Sequence, residues 1–266
     1  MKKKILLSTL LIPAIILTSG TKGDEFCGIR NQSFQNGENI TLIIFYNALG
    51  IYVNAGTANF TVTQEKLANK PVYHITGTGT SNSSYDWIFK VRDRYETFID
   101  TGTLRPYKFI RNVQEGSYKK YENVTFNPAA NAALTTDGVY KVPDCVQDVI
   151  SAVFYARNID FDKYKKGDKI NFSMFIDNEI YNMYIRYMGK ETVKTQYGKF
   201  RAIKFMPLLV KGSLFEGGEK MTVWVSDDAN KIPLRIESPI VVGSIKADMM
   251  SYRNLRYPLS SMISFR

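Results

Sequence analysis

The sequence predicts a mostly β protein: a large antiparallel, half-open or closed barrel-like sheet with one main amphipathic helix, 144–157, that covers or plugs it. Three observations predict this fold class. Roughly ten to twelve segments rich in Tyr, Phe, Val, Ile and Thr follow one another, separated by turn residues. No long helices alternate with them, which argues against a parallel α/β sheet. Many strands are apolar on both faces, so both faces must be covered, as in a curved barrel.

The first 20 residues predict a cleavable signal peptide. Lys2, Lys3 and Lys4 precede an apolar run of about a dozen residues, and small residues follow at 18–20. No Pro- or Ser-rich linker divides the rest, so 21–266 is expected to form a single β-rich domain. Because no cysteine directly follows the small residues, the sequence predicts a periplasmic protein without a lipid anchor.

The strand candidates fall into two groups, one on each side of the helix. The first group runs from residue 39 to residue 127, and a weakly patterned loop, 128–138, separates it from the helix. The second group comprises "DKINFSMFID", "EIYNMYIRYMGKETV", "GKFRAIKFMPLLV", "KMTVWVSD", "KIPLRIES" and "GSIKADMMSY". Each group is therefore expected to supply part of one sheet.

The helix is predicted from its cap and its periodicity. Asp144 is a favourable N-cap residue, and Gln147 three positions later completes an approximate capping box. An apolar stripe then recurs at helical spacing, formed by Val146, Val149, Ile150, Val153 and Phe154. This stripe is expected to plug the sheet or to line a ligand cavity beneath the helix.

Cys27 and Cys145 are the only cysteines. Exported proteins meet an oxidising compartment, so we expect a disulfide between them, which would tie the N-terminal segment beside the helix.

The charge pattern disfavours nucleic acid as a partner. The chain carries 35 basic and 25 acidic residues, a net charge of +10. Removing the three lysines of the signal peptide leaves 32 basic residues and a net charge of +7. These charges are scattered rather than clustered. A basic surface of this kind could face anionic lipid headgroups or envelope proteins.

Catalytic, metal and cofactor motifs are not found in the sequence. His74 is the only histidine and lies in a strand pattern, and no nucleophile elbow, P-loop or calcium loop accompanies it. We therefore expect a protein that is not an enzyme and needs no cofactor or metal. Carboxylates leave one alternative open: Asp93 or Glu96, in the charged segment 90–106, could serve a glycosidase-like hydrolase acting on envelope polysaccharide or peptidoglycan.

Four segments together resemble a known family: "GENITLIIFYNALGIYVNAGTANFTV", "KVRDRYETFID", "CVQDVISAVFYARN" and "VWVSDDANKIPLRIESPIVVGSIKADM". The chain resembles an uncharacterised Gram-negative envelope family, a domain of unknown function. That family is distantly similar to the carriers and receptors of the lipoprotein-localisation system (LolA and LolB). The resemblance implies a half-open antiparallel barrel with helices as a lid over a cavity for acyl chains.

These observations lead to a functional hypothesis. The chain is expected to be a periplasmic carrier or scaffold that holds an apolar, lipid-like ligand in its curved sheet. The side chains predicted to contact the ligand are Val149, Ile150, Val153, Phe154, Trp87 and Trp224. The hydrolase is the alternative function, and an outer-membrane β-barrel is a further one, although charges such as Arg186, Lys199 and Arg201 interrupt its strands.

Overall fold

The computed structural model describes residues 27–48, 50–212, 215 and 217–265, so the predicted signal peptide lies outside the described residues. Fifteen strands and one α-helix, α1 (Val149–Ala156), are found there. The strands are β1 (Asn39–Ala48), β2 (Ile51–Leu67), β3 (Lys70–Ser81), β4 (Val91–Asp100), β5 (Pro106–Glu115), β6 (Tyr118–Asn127), β7 (Ala132–Thr135), β8 (Gly138–Lys141), β9 (Lys169–Ile176), β10 (Glu179–Lys194), β11 (Gly198–Pro207), β12 (Thr222–Ser226), β13 (Pro233–Pro239), β14 (Ser244–Arg253) and β15 (Met262–Phe265).

All fifteen strands belong to one antiparallel sheet. Strands β1 to β8 form one meander and β9 to β14 a second, and β14 returns to pair with β1. The two meanders contain the two predicted groups of strands, but the predicted loop 128–138 is wrong: β7 and the start of β8 lie there and extend the first meander. Among the described residues, the outermost strands β8 and β9 are not hydrogen-bonded to each other, so the sheet curves without closing. The predicted fold class is confirmed.

The segment before α1 fills part of this gap. Gln147 forms a parallel bridge to Met174 of β9, with its N–H donating to the carbonyl of Ser173 at 2.9 Å. On the other side, the ring of Tyr140 on β8 packs against Phe175 of β9, with ring centroids 5.5 Å apart. The gap between β8 and β9 is therefore narrowed by a bridging segment and by side chains, and no continuous ladder closes it.

The helix is shorter than predicted, because its cap lies four residues later. Asp148, not Asp144, is the N-cap: its carboxylate accepts the N–H groups of Ile150 and Ser151. Ser151, not Gln147, completes the capping box. Cys145 adopts a left-handed φ of 57°, which is incompatible with a right-handed helix. Gln147 pairs with β9 and so cannot belong to the helix either.

The apolar stripe is only partly correct. Ile150 and Phe154 are buried, but Val153 is 42% exposed. Burial instead extends around most of the helix and includes Ser151, Ala152, Tyr155 and Ala156. A helix that is apolar on most of its surface belongs inside a core, so α1 plugs the sheet rather than lying across it as a lid.

The predicted disulfide between Cys27 and Cys145 is present, with Cα atoms 5.5 Å apart. The chain after Cys27 runs along α1: the N–H of Ile29 donates to the Tyr155 hydroxyl at 3.0 Å. Phe34 then packs edge-on against Phe154, with centroids 5.0 Å apart. The N-terminal segment is thus stapled and packed beside the helix, as the cysteine pairing predicted.

We call the two ends of the sheet the helix end and the mouth. At the helix end, α1 spans from Thr97 of β4, which donates to Asp148 at 2.6 Å, to Asn230 in the β12–β13 turn, whose carbonyl accepts from Arg157. The mouth is the opposite end, formed by the hairpins β1–β2, β3–β4, β5–β6, β7–β8, β9–β10 and β13–β14 and by the β11–β12 connection.

Candidate functional site

The inner wall of the sheet changes from apolar to polar towards the mouth. Along β4, alternate residues share one face. Ile99 and Thr97 on that face contact the core and the cap of α1, which identifies the face as the inner one. The next inner positions are Tyr95 and Asp93. A carboxylate therefore lies on the inside of the sheet, two positions beyond an aromatic ring that packs on the core.

The neighbouring strand β5 adds charge to the same wall. Arg111 pairs directly with Tyr95 in the sheet register, and Glu115 lies near the mouth end of the strand. Both side chains are buried, and they alternate along the same face of β5 with the core residues Phe109 and Val113. Charged groups at inner positions of an otherwise apolar strand are costly and need partners.

Arg111 obtains its partners from two other elements. Its guanidinium lies 3.0 Å from the carboxylate of Glu122 on β6 and binds Asp177 in the β9–β10 turn. The N–H of Asp177 donates to Glu122 at 2.8 Å. This network joins the N-terminal meander to the C-terminal one across the gap between β8 and β9. It fixes the width of the mouth on that side.

Asp93 and Glu115 form a carboxyl pair joined by a hydrogen bond between their side chains. Burial raises the pKa of Asp93 to about 6. Burial, together with the charge of Asp93, raises the pKa of Glu115 to about 7. Two neighbouring carboxyl groups repel each other when both are ionised, so the pair retains a proton to a higher pH than isolated carboxyl groups do.

Small residues face this pair from the adjoining strands. Gly79 pairs with Asp93, and Ala58 pairs with Gly79 in turn. A Cβ atom at Gly79 would meet only the Asp93 side chain, at 3.7 Å, so the space above this glycine is open to a modest side chain. The sheet is therefore locally thin on one side of the carboxyl pair.

Half-buried apolar side chains continue the inner wall around the mouth. They pack against the main core cluster but retain contact with solvent, unlike the residues at the helix end. They are Tyr95, Tyr181, Leu208, Met221 and Ile236. Partial exposure of inner-wall residues indicates that the sheet is open at the mouth, whereas it is filled at the helix end.

The structure does not bring the six predicted ligand contacts together. Ile150 and Phe154 lie in the main core with Val149 half-buried beside them, and Val153 points outward. Trp87 is 83% exposed in the β3–β4 connection at the mouth. Trp224 is 8% exposed and belongs to a second cluster, because its side chain points to the face of β12 opposite Val223 and Val225. Their role in ligand binding stays a prediction.

The other residues singled out in the sequence also have defined positions. Glu96 lies on the outer face of β4, opposite to Asp93, where it binds His74 at 2.7 Å and Arg94 at 2.8 Å. His74 also stacks on Phe98, with centroids 4.1 Å apart. Asp93 and Glu96 therefore cannot face each other across a cleft.

Sequence reasoning missed Glu115 and Arg111. A signal was present: in "KFIRNVQE", charged residues occupy the same alternate positions as Phe109 and Val113. Charged residues that share the core-facing side of a strand with apolar residues indicate a polar site on the inner wall.

Two of the cavities in the described part of the chain lie at the helix end. One of about 20 Å³ lies beside the disulfide and is lined by Arg105, Asp144 and Cys145, among others. It is just large enough for a water molecule. The second, of about 230 Å³, is lined by charged side chains that include Asp160, Lys190 and Asp228. Neither is an apolar chamber beneath α1.

Within the described residues, no helix has the length and apolar character needed to cross a membrane.

Comparison with solved structures supports the fold. A β-barrel-like protein of the domain of unknown function DUF1849 from Brucella abortus is similar, with a TM-score of 0.55, 7% sequence identity, and coverage of 85% of this chain and 99% of that one. A chain described as a "putative lipoprotein" from Parabacteroides distasonis matches with 13% identity over 84% of this chain and all of the other, but its TM-score of 0.37 is too low to carry an argument.

No curated protein matches the chain. Nothing in the comparisons links it to the lipoprotein-localisation factors, so that part of the resemblance stays a prediction. The profile of one family, described as "Protein of unknown function (DUF3108)", matches residues 42–250, and the chain therefore belongs to this family.

Proposed function

We propose that the protein is a non-enzymatic binding or carrier protein that holds an apolar or amphiphilic ligand in the mouth of its curved sheet. The observation that carries this proposal is the half-buried apolar inner wall that ends at the Asp93–Glu115 pair. A wall of this kind offers apolar area for burial and a few polar groups for orientation, which is the usual composition of a ligand site.

The mouth is a better location for the ligand than the space beneath the helix. At the helix end, the interior is occupied by Phe34, Phe109 and Phe154, each 1% exposed or less. Ile150 closes the space above Gly77: a Cβ atom there would lie 3.2 Å from its terminal methyl group. An acyl chain could enter this region only by displacing α1, whereas the inner-wall residues at the mouth are already partly exposed to solvent.

The polar end of the ligand is expected to donate hydrogen bonds. Glu115 is 9% exposed, and among the described residues only Asp93 is hydrogen-bonded to its carboxyl group; its Oε2 atom accepts from no N–H or hydroxyl group. A buried acceptor without a partner is costly, and a hydroxyl or amine group of a ligand would satisfy it. The ligand class is therefore an amphiphile with an apolar body and a hydrogen-bond donor near one end.

The disulfide supports export to an oxidising compartment. Bridges such as Cys27–Cys145 persist in periplasmic and secreted proteins and are rare in the cytosol. Together with the predicted signal peptide, this favours the periplasm as the site of action.

Blocking the mouth tests the proposal. In a Gly79→Leu variant, the new side chain would extend over Asp93 into the mouth. A Thr80→Leu variant is the matched control, because the next residue of the strand points to the outer face and is exposed. We expect purified mature wild-type protein and the control to carry extractable lipid in native mass spectrometry or to bind a fluorescent fatty acid, and Gly79→Leu to bind roughly tenfold less tightly.

Ligand-free wild-type protein that ignores fatty-acid and amine-bearing amphiphile probes would contradict the proposal. Equal binding by the Gly79 and Thr80 variants would move the ligand away from the mouth.

A carboxylate-based hydrolase is the second candidate, favoured by the proton shared between Asp93 and Glu115. Such a pair can exchange protons near neutral pH. Glycosidase carboxylates, however, stand about 5–10 Å apart with the substrate between them, and a directly hydrogen-bonded pair leaves no such space. Hydrolysis of envelope polysaccharide or peptidoglycan by the wild type, lost in Asp93→Asn with unchanged thermal unfolding, would favour the enzyme over the carrier.

A further inference from the structure

Exposed apolar side chains are concentrated on the hairpin tips of the mouth. Trp87 is 83% exposed, Val242 70% and Ile51 69%. The tips come from five separate hairpins, and we call their exposed apolar residues the mouth rim: Ile51, Tyr52, Trp87, Ile88, Phe89, Tyr118, Ile180, Val241 and Val242. Single exposed apolar residues are normal, but a set gathered at one end of a molecule marks an interaction surface.

The topology explains why these residues meet. In an antiparallel meander, successive turns alternate between the two ends of the sheet. The β1–β2, β3–β4 and β5–β6 turns therefore share one end, and the pairing of Asn47 with Ser244 brings the β13–β14 turn to the same end. Residues that lie far apart in the sequence thus surround one opening.

Turn chemistry does not account for the rim. Val241 and Val242 are the central residues of a turn in which the N–H of Ile240 donates to the carbonyl of Gly243 at 3.1 Å. Central turn positions favour Gly, Asn, Asp or Pro, and β-branched residues prefer strands. Trp87 is held by its own connection, since its Nε1 donates to the carbonyl of Ser84 at 3.1 Å, and this bond leaves the ring in solvent. Neither the valines in this turn nor the exposed ring of Trp87 is expected to stabilise the fold.

The charges of the mouth favour an anionic partner. Three acidic groups there are paired with arginines: Asp86 binds Arg92 at 2.5 Å, Glu219 binds Arg186 at 2.6 Å, and Asp177 binds Arg111. Asp137 and Glu179 are exposed and are bound to the uncharged side chains of Asn178 and Tyr181. Lysines stand exposed beside the apolar tips, namely Lys90 after Phe89, Lys119 after Tyr118 and Lys211 in the β11–β12 connection. The positive charge is therefore concentrated beside the Trp87 and Tyr118 tips, whereas the exposed carboxylates lie at the β7–β8 and β9–β10 turns.

We propose that the mouth rim docks on a lipid surface with anionic headgroups. Trp and Tyr rings are favoured at the boundary between headgroups and acyl chains, and nearby lysines attract anionic lipid. Five separate tips around an opening present no continuous flat face to a rigid protein, but each can enter a soft interface independently. Docking places the mouth against the membrane, and it is independent of whether a ligand occupies the inner wall.

Vesicle binding by the mature chain tests the docking. We expect co-sedimentation with vesicles of phosphatidylcholine and phosphatidylglycerol, accompanied by a blue shift of Trp87 fluorescence, since the other tryptophan, Trp224, is already buried. Trp87→Ser/Val242→Ser should bind these vesicles at least roughly tenfold more weakly. Lys90→Glu/Lys119→Glu should lose the preference for phosphatidylglycerol over pure phosphatidylcholine.

Ile263→Ser/Phe265→Ser is the matched control, because these exposed apolar residues lie on β15, away from the mouth. It should bind as the wild type does. Equal binding by the rim and control variants would overturn the proposal, as would a wild type that ignores both kinds of vesicle. A wild-type dimer that dissociates in the Trp87/Val242 variant would assign the rim to a second copy of the chain instead. The Gly79→Leu variant should still bind vesicles, which separates failure of docking from failure of ligand binding.

Discussion

The helix end and the mouth of the same sheet differ in almost every physical respect. At the helix end, Phe34 and Phe154 pack against one another, a disulfide ties down the N-terminal segment, and Arg157 is buried in a pair with Glu38 at 2.5 Å. At the mouth, inner-wall residues are half-buried, a carboxyl pair shares a proton, and the turns expose aromatic rings. The same strands run through both ends, so the difference lies in their side chains and in α1 and the N-terminal segment, which fill only the helix end.

This contrast suggests that the helix end stabilises the fold and that the mouth serves binding. Interactions that stabilise the fold are concentrated where the core is complete, and features that are costly or neutral for folding are concentrated where the sheet opens. Functional sites commonly contain such locally unfavourable residues, which the rest of the structure tolerates. The contrast can be tested by substitutions at each end, because their effects on the free energy of unfolding should differ strongly.

The largest effect is expected from breaking the buried ion pair. Arg157→Met leaves Glu38, which is 1% exposed, without its partner and should lower the free energy of unfolding by about 3–5 kcal/mol. Urea unfolding would measure the loss. Glu38→Leu/Arg157→Met should recover part of it, because no unpaired charge remains. If Arg157→Met were as stable as the wild type, the helix end would not be the stabilising one.

Removing the disulfide should have the next largest effect. The bridge joins residues 118 positions apart, and Cys27→Ala/Cys145→Ala should cost about 2–4 kcal/mol. Reductant should destabilise the wild type by a similar amount and leave the variant unchanged. If reductant has no effect on the wild type, the bridge does not contribute to the stability of this end.

The carboxyl pair should make stability depend on pH. The pKa values of Asp93 and Glu115 are raised in the folded state, to about 6 and about 7, so the folded protein binds more protons than the unfolded one. Stability should therefore fall as pH rises from about 4 to about 7, by roughly 1 kcal/mol for partly screened groups. Asp93→Asn should reduce this slope without abolishing it, because burial also raises the pKa of Asp148 to about 6.

Asp162→Asn serves as the control for this measurement. Its hydrogen bond to Lys190 lowers the pKa of Asp162, so its contribution is present above pH about 4 and is lost only below it. A slope between pH 5 and pH 8 that is equal in the wild type and in Asp93→Asn would contradict the shared proton.

The smallest effects are expected at the mouth rim. Trp87→Ser and Val242→Asn should each change the free energy of unfolding by no more than about 0.5 kcal/mol, since neither side chain packs in a core. Phe34→Ala at the helix end is the comparison and should cost about 3–5 kcal/mol. A large loss in Trp87→Ser would show that the rim stabilises the fold rather than serving binding.

The fold class could be predicted because two of its signals are visible in short stretches of sequence. These signals are β-propensity and the presence of apolar residues on both faces of a strand. The disulfide could be predicted from the compartment, since only two cysteines were available. The start of the helix could not be predicted reliably, because Asp144 and Asp148 are both suitable caps. Tertiary contacts decide between them: Gln147 pairs with β9, and Thr97 binds Asp148.

The candidate site could be predicted only in part. The alternation along β4 places Asp93 and Tyr95 on one face, but it does not say which face is inner or which carboxylate lies beside it. Glu115 joins Asp93 through the β4–β5 register, which depends on a shift between Phe98 and Ile99. Neither the exposure of Trp87 nor the burial of Trp224 follows from the sequence around them, because both lie in similar apolar segments.

The pairing of β1 with β14 has a consequence for the order of folding. Asn39 pairs with Arg253, so this seam can form only after nearly the whole chain is available. Strands β2 to β6 follow one another in the chain with connections of at most nine residues and can pair as they emerge, while the free edge of β1, "ITLIIFY", stays open to other chains. We expect β1 amides to gain protection later than those of β3 to β5 in pulse-labelling hydrogen exchange, and aggregation to compete with folding during that interval.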